Sequence, residues 1–421
     1  MYYKITAPQQ FNVDIHLPAS KSIRNRVLLV QALSGKEVRK HATDDCDDIR
    51  VLINALQKLP STIDIGAAGT AMRFLTAYLC TRPAGEQHTI TGTSRMLQRP
   101  IGTLVDALRK LGADIEYLSQ EGFPPLRIKS KPLTGNELTL TGSVSSQYIS
   151  ALLMIAPTLP QGLKLHLIGD ILSRPYIDLT LKIMKSFGGI AEWSDECTLS
   201  VEPKSYISST RYVVESDWTA ASYWYEVMSL APLNFNRLFL SGLTLKPQNE
   251  RLQGDSRLTE IFKYLDVHTV RVRNGLLIDK REEFLLPLFI NEDMSDIPDL
   301  AQTLAVTCCM RRIPFRLSGL QSLRIKETDR IEALITELRK LGFVLYARPD
   351  NSLVWDGERC APDKRPVIRT YHDHRMAMSF APACLLLPSI IIEDPQVVTK
   401  SYPTFWKEME TAGFQIKSLT R

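Results

Sequence analysis

The sequence predicts an α/β protein with two domains, each built from three copies of a unit that contains two helices. Apolar stretches with helical spacing occur along all 421 residues and fall into six consecutive pairs. The pairs divide three and three, with the break near residues 215–218. At roughly 100–200 residues per domain, this length also favours two domains. The alternative is an ordinary α/β enzyme whose helices look alike only because amphipathic helices generally do.

One helix of each predicted pair has a single apolar face. Apolar residues recur there at close to i, i+4 and i+7, which places them on one side of a helix. The six copies are Leu52/Leu56/Leu59, Leu104/Leu108/Leu111, Leu179/Ile183/Phe187, Leu258/Phe262/Leu265, Leu334/Leu338/Leu341 and Phe405/Met409/Ala412. Four of these helices are followed by a glycine, the residue that best adopts the left-handed conformation after a helix: Gly112, Gly188, Gly342 and Gly413. Short strand-like runs come next, such as residues 113–117 and 343–346.

The other helix of each pair is apolar on most sides, so we expect it to be buried. These helices are predicted at residues 27–33, 72–80, 149–156, 220–230, 300–310 and 376–387. Nearly every pair begins with basic, hydroxyl or acidic residues. Helix N-termini bind anions, because they carry unpaired N–H groups and a partial positive charge. If several of them converge, the chain builds a site for a small, strongly negative molecule.

Composition narrows the class of protein. With 44% hydrophobic and 23% charged residues, the chain is globular and has an ample core. No apolar run approaches the ~20 residues of a membrane span, and residues 1–8 carry no targeting pattern. The seven cysteines show neither C-x-x-C nor zinc spacing, which favours a reduced, cytoplasmic protein without a metal. The net charge of +5, without a basic run interleaved with aromatics, argues against nucleic-acid binding.

Three clusters in the first half could bind anions. Lys21, Ser22 and Arg26 share the first turns of one helix, where Arg26 offers a two-pronged contact to carboxylate or phosphate. The small-residue turn at residues 65–71 lets backbone approach a phosphate. Residues 143–147 supply hydroxyls and an amide at a helix start. A solvated helix end, tight helix packing and helix capping, respectively, are the alternatives.

The second half carries the charged clusters. Asp299 precedes a buried helix, where it serves either as an N-cap or as a base that accepts a proton from a hydroxyl. Basic residues also precede an apolar helix at His374-Arg375 and at Lys400. Four ionisable residues lie within five positions: Lys326, Glu327, Asp329 and Arg330. Surface ion pairs on a helix explain any one cluster, but they explain the repetition in all six pairs less well.

Six motifs closely resemble the 5-enolpyruvylshikimate-3-phosphate synthase family. They are Pro18-Ala19-Ser20-Lys21-Ser22 with Asn25-Arg26, Ala68-Gly69-Thr70-Ala71-Met72-Arg73, Arg99-Pro100-Ile101-Gly102, Ser143-Val144-Ser145-Ser146-Gln147, Lys326-Glu327-Thr328-Asp329-Arg330 and Asp373-His374-Arg375-Met376-Ala377-Met378. They span nearly the whole chain in the family's order. The resemblance implies a two-domain inside-out α/β barrel, with three βαβαββ repeats per domain, that closes like jaws on its substrates. It assigns 19–217 to the shikimate 3-phosphate side, and 1–18 with 218–421 to the phosphoenolpyruvate side.

The resemblance also implies a reaction and residue roles. The family moves the enolpyruvyl group of phosphoenolpyruvate to the 5-hydroxyl of shikimate 3-phosphate and releases phosphate through a tetrahedral intermediate. The implied catalytic residues are Lys21, Asp299 and Glu327. The residues implied to bind shikimate 3-phosphate are Lys21, Ser22, Arg26, Ser145, Ser146, Gln147, Ser173, Tyr176, Asp299 and Lys326. Those implied to bind phosphoenolpyruvate are Lys21, Gly69, Thr70, Arg99, Gln147, Arg330, His374, Arg375 and Lys400.

Two details qualify this resemblance. Cationic surroundings favour the ionised form of a carboxyl, yet Glu327 has to be protonated to act as an acid, so we expect its proton to come from a nearby lysine or from substrate. The chain also departs from the commonest family pattern. Ala67, Ser322 and His372 stand where many members carry Asn, and Phe74 stands where Pro is frequent.

The nearest alternative is the sister enzyme that transfers enolpyruvyl to UDP-N-acetylglucosamine and uses a cysteine in a mobile loop. The corresponding stretch here, residues 81–98, contains no cysteine. A non-catalytic phosphate- or RNA-binding protein is the other alternative, and it would have no use for a placed base and acid such as Asp299 and Glu327. We expect a cytoplasmic monomer with small anionic substrates, no cofactor or metal, and no nucleic-acid or membrane partner.

Overall fold

Helices and strands alternate along the parts of the chain that the computed structural model describes, residues 1–38, 45–208, 211–233, 236–247, 250–280 and 284–420. These parts contain twelve α-helices: α1 (Lys21–Leu33), α2 (Asp47–Lys58), α3 (Gly69–Cys80), α4 (Gly102–Lys110), α5 (Ser146–Ile155), α6 (Arg174–Ser186), α7 (Trp218–Leu230), α8 (Leu258–Lys263), α9 (Ala301–Met310), α10 (Arg330–Lys340), α11 (His374–Phe380) and α12 (Phe405–Thr411). In the same ranges, no helix is long and apolar enough to cross a bilayer.

The strands are short and number twenty in the same ranges. They are β1 (Tyr2–Thr6), β2 (Asn12–His16), β3 (Thr62–Asp64), β4 (Gln87–Thr91), β5 (Asp114–Tyr117), β6 (Leu126–Lys129), β7 (Glu137–Thr141), β8 (Leu163–Ile168), β9 (Ala191–Trp193), β10 (Thr198–Val201), β11 (Arg237–Ser241), β12 (His268–Val272), β13 (Gly275–Asp279), β14 (Ile290–Asp293), β15 (Phe315–Ser318), β16 (Tyr346–Ala347), β17 (Leu353–Trp355), β18 (Val367–Ile368), β19 (Ile390–Glu393) and β20 (Gln415–Leu419). The α/β class predicted from the sequence is therefore confirmed.

The chain divides into two compact units. Unit 1 comprises Met1–Ser20 and Glu215–Arg421, and unit 2 comprises Lys21–Val214. Unit 1 holds three four-stranded sheets, with strand orders β18-β19-β1-β20, β12-β13-β11-β2 and β14-β15-β17-β16. Unit 2 holds two, with orders β3-β4-β6-β5 and β7-β8-β10-β9.

All five sheets share one topology, which the β3–β6 copy shows most simply. Its first strand, β3, pairs in parallel with β4, and α3 connects the two because parallel neighbours need a crossover. After α4, β5 and β6 form an antiparallel hairpin, and β6 pairs antiparallel with β4. The order is thus strand, helix, strand, helix, strand, strand. The helix pair α1 and α2 has no such sheet of its own among the described residues.

The first twenty residues belong to unit 1 because their strands complete two of its sheets. β2 pairs in parallel with β11 and takes the place of a first strand before α7. β1 lies between β19 and β20, antiparallel to both, and takes the place of a fourth strand. Unit 2 is therefore inserted between β2 and α7.

The two predicted kinds of helix are both present. Every residue of α3, α9 and α11 is buried, as the uniformly apolar stretches predict. In α10, by contrast, the buried residues lie on one face. The four predicted helix-ending glycines all have left-handed φ angles, +106° at Gly112, +81° at Gly188, +89° at Gly342 and +89° at Gly413. These angles confirm the predicted helix ends.

Two predicted elements have different bounds in the structure. The apolar stretch 376–387 is not one helix, because α11 ends at Phe380 and a 3-10 helix, Ala381–Leu385, follows. Pro382 lies in this second segment and lacks the N–H that an α-helix would need there. The strand predicted at 343–346 begins only at Tyr346, and Phe343 makes a single bridge to Arg359.

Candidate active site

In unit 2, three of the predicted anion-binding clusters lie at or next to the N-termini of α1, α3 and α5. Lys21 is the first residue of α1, and its Nζ donates to Asp48 Oδ2 at 3.0 Å. Asp48 is buried in the first turn of α2. The ammonium group is thus held in place by a carboxylate from the neighbouring helix.

Arg26 is buried inside unit 2, with only 2% of its surface exposed. Its guanidinium donates to Thr180 Oγ1 (2.7 Å), Ser150 Oγ (3.0 Å), the Ser22 carbonyl (2.9 Å) and the Tyr176 carbonyl (3.4 Å). These four bonds account for four of the five N–H groups of an arginine. Burial lowers the pKa of Arg26 to about 10, with the nearby Tyr176 opposing the shift.

The glycine turn before α3 makes room for two arginines. A Cβ atom at Gly69 would lie 2.7 Å from Arg99 Nη1 and 2.9 Å from Arg73 Nη1. Arg73 in turn donates to the Gly69 carbonyl at 3.0 Å. Gly69 is therefore needed less for its own contacts than to let these guanidinium groups approach the helix start. Tight packing was the alternative explanation of the small residues in this turn. The close approach of the two guanidinium groups to Gly69 is such packing, so the two explanations agree here.

The start of α5 is connected to the start of α3. Gln147 Nε2 donates to Thr70 Oγ1 at 3.1 Å, so the amide and the hydroxyl lie side by side. Ser145 is the N-cap of α5, and its hydroxyl accepts the Gln147 backbone N–H at 3.4 Å. Capping, the simpler prediction for this cluster, is thus confirmed for Ser145. Ser146, the next residue, is half-buried at the first position of the helix.

Ser173 and Tyr176 lie at the start of α6. Ser173 has a left-handed φ of +55° and immediately precedes the helix. The Tyr176 ring lies beside the Arg26 guanidinium, 5.9 Å from its carbon, and Phe74 lies on the same guanidinium at 5.5 Å. Unit 2 thus brings together Arg26, Ser22 and Tyr176 as one group, and Gly69, Arg99 and the Thr70–Gln147 pair as another.

In unit 1, one buried arginine organises the site. Arg330, 1% exposed, is the first residue of α10. Its Nε donates to Asp373 Oδ2 (2.7 Å), its Nη1 to Asp299 Oδ1 (3.1 Å) and its Nη2 to Glu327 Oε2 (3.0 Å). Burial alone would lower the pKa of Arg330, but Asp373, Glu327 and Asp299 outweigh it and raise that pKa. The surface interpretation is therefore wrong for Arg330 and Glu327, whereas Asp329 does form a partly exposed ion pair, with Arg324.

Asp299 is surrounded by cations and does not cap a helix. It lies in the 3-10 turn Pro298–Leu300 before α9, and no side-chain cap is made there. Its Oδ2 lies 2.8 Å from Arg375 Nη2, while Lys326 Nζ lies 4.0 Å from its Oδ1. The N-cap interpretation is wrong because the turn directs this carboxylate to the arginines instead of the helix.

Glu327 is held between two cations. Lys400 Nζ donates to Glu327 Oε1 at 2.6 Å, and Arg330 binds the other oxygen. Lys400 is buried at the end of the 3-10 helix Pro395–Lys400. The lysine expected near Glu327 is thus in direct contact with its carboxylate.

The start of α11 supplies the remaining groups. Asp373 caps the helix by accepting the Arg375 backbone N–H at 2.9 Å. Arg375 Nη1 donates to the Tyr223 hydroxyl at 3.3 Å. Burial raises the pKa of Tyr223 to about 12, although Arg375 opposes the shift. His374 is buried, and its Nδ1 lies 3.7 Å from Asp373 Oδ1.

Three residues that contact the predicted site residues were not predicted from the sequence. Asp373 had a visible signal, since an aspartate directly before a helix that starts with His-Arg is a typical N-cap. Asp48 also had one, because an acidic first turn is typical of helices, but its pairing with Lys21 is not readable from spacing. Tyr223 had none, since it is one aromatic among several in a buried helix.

The positive and negative charges around Arg330 in unit 1 are nearly balanced. Four cations and three carboxylates are in contact: Lys326, Arg330, Arg375 and Lys400 with Asp299, Glu327 and Asp373. Such an arrangement holds the side chains in place without substrate. An entering anion has to compete with Asp299 and Glu327 for their cations.

A family model and curated relatives both match this chain over most of its length. The model of the EPSP synthase (3-phosphoshikimate 1-carboxyvinyltransferase) family matches residues 58–409. A 3-phosphoshikimate 1-carboxyvinyltransferase from Bacteroides fragilis (strain YCH46) is 54% identical over 99% of both chains. One from Haemophilus influenzae (strain ATCC 51907) is 35% identical over 94% of this chain and 95% of its own.

Solved structures share the fold. An EPSP synthase from Acinetobacter baumannii matches 99% of this chain and 100% of its own, with a TM-score of 0.73 and 19% identity. The enolpyruvyl transferase NikO from Streptomyces tendae matches 99% and 98%, with a TM-score of 0.70 and 13% identity. At these identities the likeness concerns the fold alone.

Proposed function

The chain belongs to the EPSP synthase family, and on that premise we propose how its residues carry out the reaction. The family predicted from the six motifs is confirmed. The protein is a transferase that moves the enolpyruvyl group of phosphoenolpyruvate to shikimate 3-phosphate, in aromatic biosynthesis. Transfer to a UDP-sugar, the alternative on a related fold, is not favoured by these relatives.

The proposed architecture is the two-domain inside-out α/β barrel of the family, with three βαβαββ repeats in each domain. Five copies of that order, three in unit 1 and two in unit 2, support the proposal. The α1–α2 pair is then the helical part of the sixth copy. We also propose a monomer in the cytoplasm, in keeping with relatives that are biosynthetic enzymes.

Shikimate 3-phosphate binds mainly to unit 2 in this proposal. Its anionic groups and hydroxyls contact Lys21, Ser22, Arg26, Ser145, Ser146, Gln147, Ser173 and Tyr176, together with Asp299 and Lys326 of unit 1. The hydroxyl, amide and cationic groups at the starts of α1, α5 and α6 support this assignment. Arg26 has most of its N–H groups on internal acceptors, so its contribution is one remaining contact or an exchange of the Ser22 carbonyl for substrate.

Phosphoenolpyruvate binds to the arginines and the glycine turn. The proposed contacts are Lys21, Gly69, Thr70, Arg99 and Gln147 of unit 2, with Arg330, His374, Arg375 and Lys400 of unit 1. The charge network around Arg330 is the single observation that carries the proposal, because it presents a base, an acid and their cations in one group. A purely structural network would have no need of Lys326 beside Asp299, since the side chain of this lysine is still 27% exposed.

Binding of phosphoenolpyruvate activates both carboxylates in this scheme. Its carboxylate and phosphate take over Arg375, Arg330 and Lys400 from Asp299 and Glu327. An unlike charge pair at 4 Å is worth about 4 kcal/mol at an effective dielectric constant of 20 before desolvation, so losing one cation raises the proton affinity of a carboxylate substantially. The base and the acid therefore become competent only when substrate is present.

The proton steps then follow. Asp299 accepts the proton of the 5-hydroxyl as that oxygen bonds to the central enol carbon, and Glu327 donates a proton to the methylene carbon. Glu327 takes this proton from Lys400, whose Nζ donates to it at 2.6 Å before phosphoenolpyruvate displaces that hydrogen bond. In the elimination, Glu327 takes a methyl proton from the tetrahedral intermediate and returns it to Lys400, while Asp299 gives its proton to the departing phosphate. The bond between carbon and the phosphate oxygen breaks and the double bond is restored. Placing the two repelling anions side by side supplies the proximity contribution.

Phosphate release tests this function. Purified protein should release phosphate only when both phosphoenolpyruvate and shikimate 3-phosphate are present. Lys21→Met and Glu327→Ala should each lower turnover by about a hundredfold or more, since each removes a group that acts in the transition state. Glu332→Ala is the matched control, because this exposed carboxylate on α10 forms a surface ion pair with Arg324.

The outcomes are distinct. No release with shikimate 3-phosphate, but release with UDP-N-acetylglucosamine, would transfer the assignment to the sister activity. Normal turnover by Lys21→Met and Glu327→Ala would leave the activity in place and remove the site assignment.

A further inference from the structure

The turn before α11 has an unfavourable backbone conformation. Tyr371 and His372 follow one another with φ of +53° and +57°, both in the left-handed region. Residues with a Cβ atom avoid this region, although histidine tolerates it better than most. The next residue is Asp373, the N-cap of α11 and a partner of Arg330. Two strained residues thus directly precede a carboxylate of the charge network.

A buried glutamate holds this turn. Glu337 is fully buried in α10. The Tyr371 hydroxyl donates to its Oε1 at 2.6 Å, while the Arg369 backbone N–H donates to its Oε2 at 3.0 Å. Lys340 Nζ donates to the same Oε2 at 2.6 Å and to the Val367 carbonyl at 2.9 Å. One carboxylate therefore fixes the backbone and the side chain of the strained turn together.

The same helix holds the turn a second time. Arg330 lies seven residues before Glu337 in α10, which is two helical turns and hence the same face. Its Nε donates to Asp373 Oδ2 at 2.7 Å. Glu337 thus binds the start of the turn and Arg330 binds its end. Both residues belong to α10, so this one helix fixes the backbone on either side of the left-handed residues Tyr371 and His372.

We propose that Glu337 is a positioning residue for the transfer reaction, acting through Tyr371 on Asp373 and so on Arg330 and Arg375. The inference rests on the proposed function, which assigns these arginines to phosphoenolpyruvate. Without the Tyr371–Glu337 hydrogen bond, the turn relaxes to negative φ and Asp373 moves away from Arg330. The side chains of Arg330 and Arg375 are then no longer held in their orientation. The unit 2 side chains assigned to shikimate 3-phosphate keep their positions.

Two conservative variants test this inference. Tyr371→Phe removes one hydroxyl, and Glu337→Gln removes the charge but keeps the shape. Each should raise the KM for phosphoenolpyruvate at least tenfold and leave the KM for shikimate 3-phosphate within twofold. Tyr225→Phe is the matched control, because it removes a buried hydroxyl of unit 1 that bonds to Thr269 far along the chain from this turn. The control should change neither KM.

A rescue separates positioning from general destabilisation. His372→Gly removes the cost of the left-handed φ at one of the two positions. Added to Tyr371→Phe, it should bring the KM for phosphoenolpyruvate back to within threefold of wild type. Arg312→Gly relieves a left-handed φ of +58° at the exposed end of α9 and should not rescue.

Several results would overturn the inference: a wild-type KM for phosphoenolpyruvate in Tyr371→Phe, an equal rise of both KM values, or an equal rescue by Arg312→Gly. A crystal structure of Tyr371→Phe decides the matter independently of activity. It should show negative φ at residue 371 or 372 and a lengthened Arg330–Asp373 contact, and an unchanged turn would contradict the inference. Failure of the proposed function itself would instead appear as absent phosphate release in the wild type.

Discussion

Arg330 and Gly69 show how single residues set the chemistry. Arg330 gathers three carboxylates on one buried guanidinium, so its charge is used to fix a base and an acid relative to each other. Gly69 acts by what it lacks, because any side chain there would meet Arg99 and Arg73. The charge of Arg330 and the missing side chain of Gly69 thus have the same effect. Each places cationic side chains where an anionic substrate can bind.

Gly69→Ala should weaken phosphoenolpyruvate binding without unfolding the protein. The added methyl group would displace the flexible end of Arg99, which can move, so the fold should be kept. The KM for phosphoenolpyruvate should rise about tenfold, the loss of one well-placed charged contact. Steady-state kinetics with each substrate varied in turn measures this effect.

Gly102→Ala is the control for that prediction. It also adds a methyl group at the first residue of a helix, α4, but the atoms nearest to its Cβ would belong to Gly122 and Tyr117 and not to an arginine. Equal KM values for the two alanine variants would mean that Arg99 does not contact phosphoenolpyruvate.

Asp255 should make stability depend on pH. Burial first, and Asp299 second, raise its pKa from 3.8 to about 7, while a hydrogen bond from Thr219 opposes the shift. A carboxyl whose pKa is raised on folding binds its proton more tightly in the folded state. Its contribution to stability is therefore complete below about pH 4 and is lost as pH rises through about 7.

The Asp255→Asn variant removes this titration. Wild type and variant should unfold at similar urea concentrations at pH 4.5, and the variant should be the more stable at pH 8, by about 4 kcal/mol at most. Urea unfolding at the two pH values measures the difference. Parallel pH dependence of the two proteins would show that Asp255 does not titrate in this range.

At the scale of elements, helix starts carry the site. Lys21, Gly69, Ser146, Arg330 and His374 are each the first residue of a helix. Four of these helices are the more deeply buried member of their pair, and α10 is the exception. Their N-termini supply N–H groups and a partial positive charge next to the charged side chains. The repeat thus explains why chemically similar clusters recur along the chain.

The cap of α10 should be separable from catalysis. Asp329 Oδ1 accepts the backbone N–H groups of Ile331 (3.1 Å) and Glu332 (3.2 Å). Asp329→Ala should cost about 1 kcal/mol of stability, whereas Asp329→Asn should cost only a few tenths because asparagine is an equally good cap. Both variants lose the charge that binds Arg324, so their difference isolates the cap.

Urea unfolding and steady-state kinetics together test this separation. Both variants should keep KM values within twofold of wild type. A loss of activity in Asp329→Asn at unchanged stability would place Asp329 in the substrate site instead.

At the scale of the molecule, the sequence predicted the repeating order of elements but not the partners of its charges. The apolar spacing of a helix and the glycine that follows it are both local features of the sequence. Helices such as α4 and α10, and their ends at Gly112 and Gly342, could therefore be predicted. The contact of Arg330 with Asp373 joins residues 43 positions apart, which depends on how helices from different repeats pack. The same holds for the contact of Arg26 with Thr180.

The errors also have physical causes. The 326–330 cluster looks like a set of surface pairs because helical spacing does not reveal which face is covered, and Arg330 is in fact buried. Asp299 looks like an N-cap because aspartate commonly precedes helices, but the 3-10 turn redirects it. Left-handed backbone at Tyr371 and His372 has no sequence signal of the kind that glycine provides.

The central claim is that the charge network of unit 1 moves protons during the transfer, with Glu327 as the acid. The most direct test runs the reaction in D₂O and measures deuterium in the methylene group of the product by mass spectrometry. Wild type should place deuterium there, because Glu327 exchanges its proton with solvent before donating it. Glu327→Gln should bind both substrates within threefold of wild-type affinity, yet give neither phosphate nor deuterated product. Phosphate release at the wild-type rate by Glu327→Gln, with deuterium in the product, would contradict the claim.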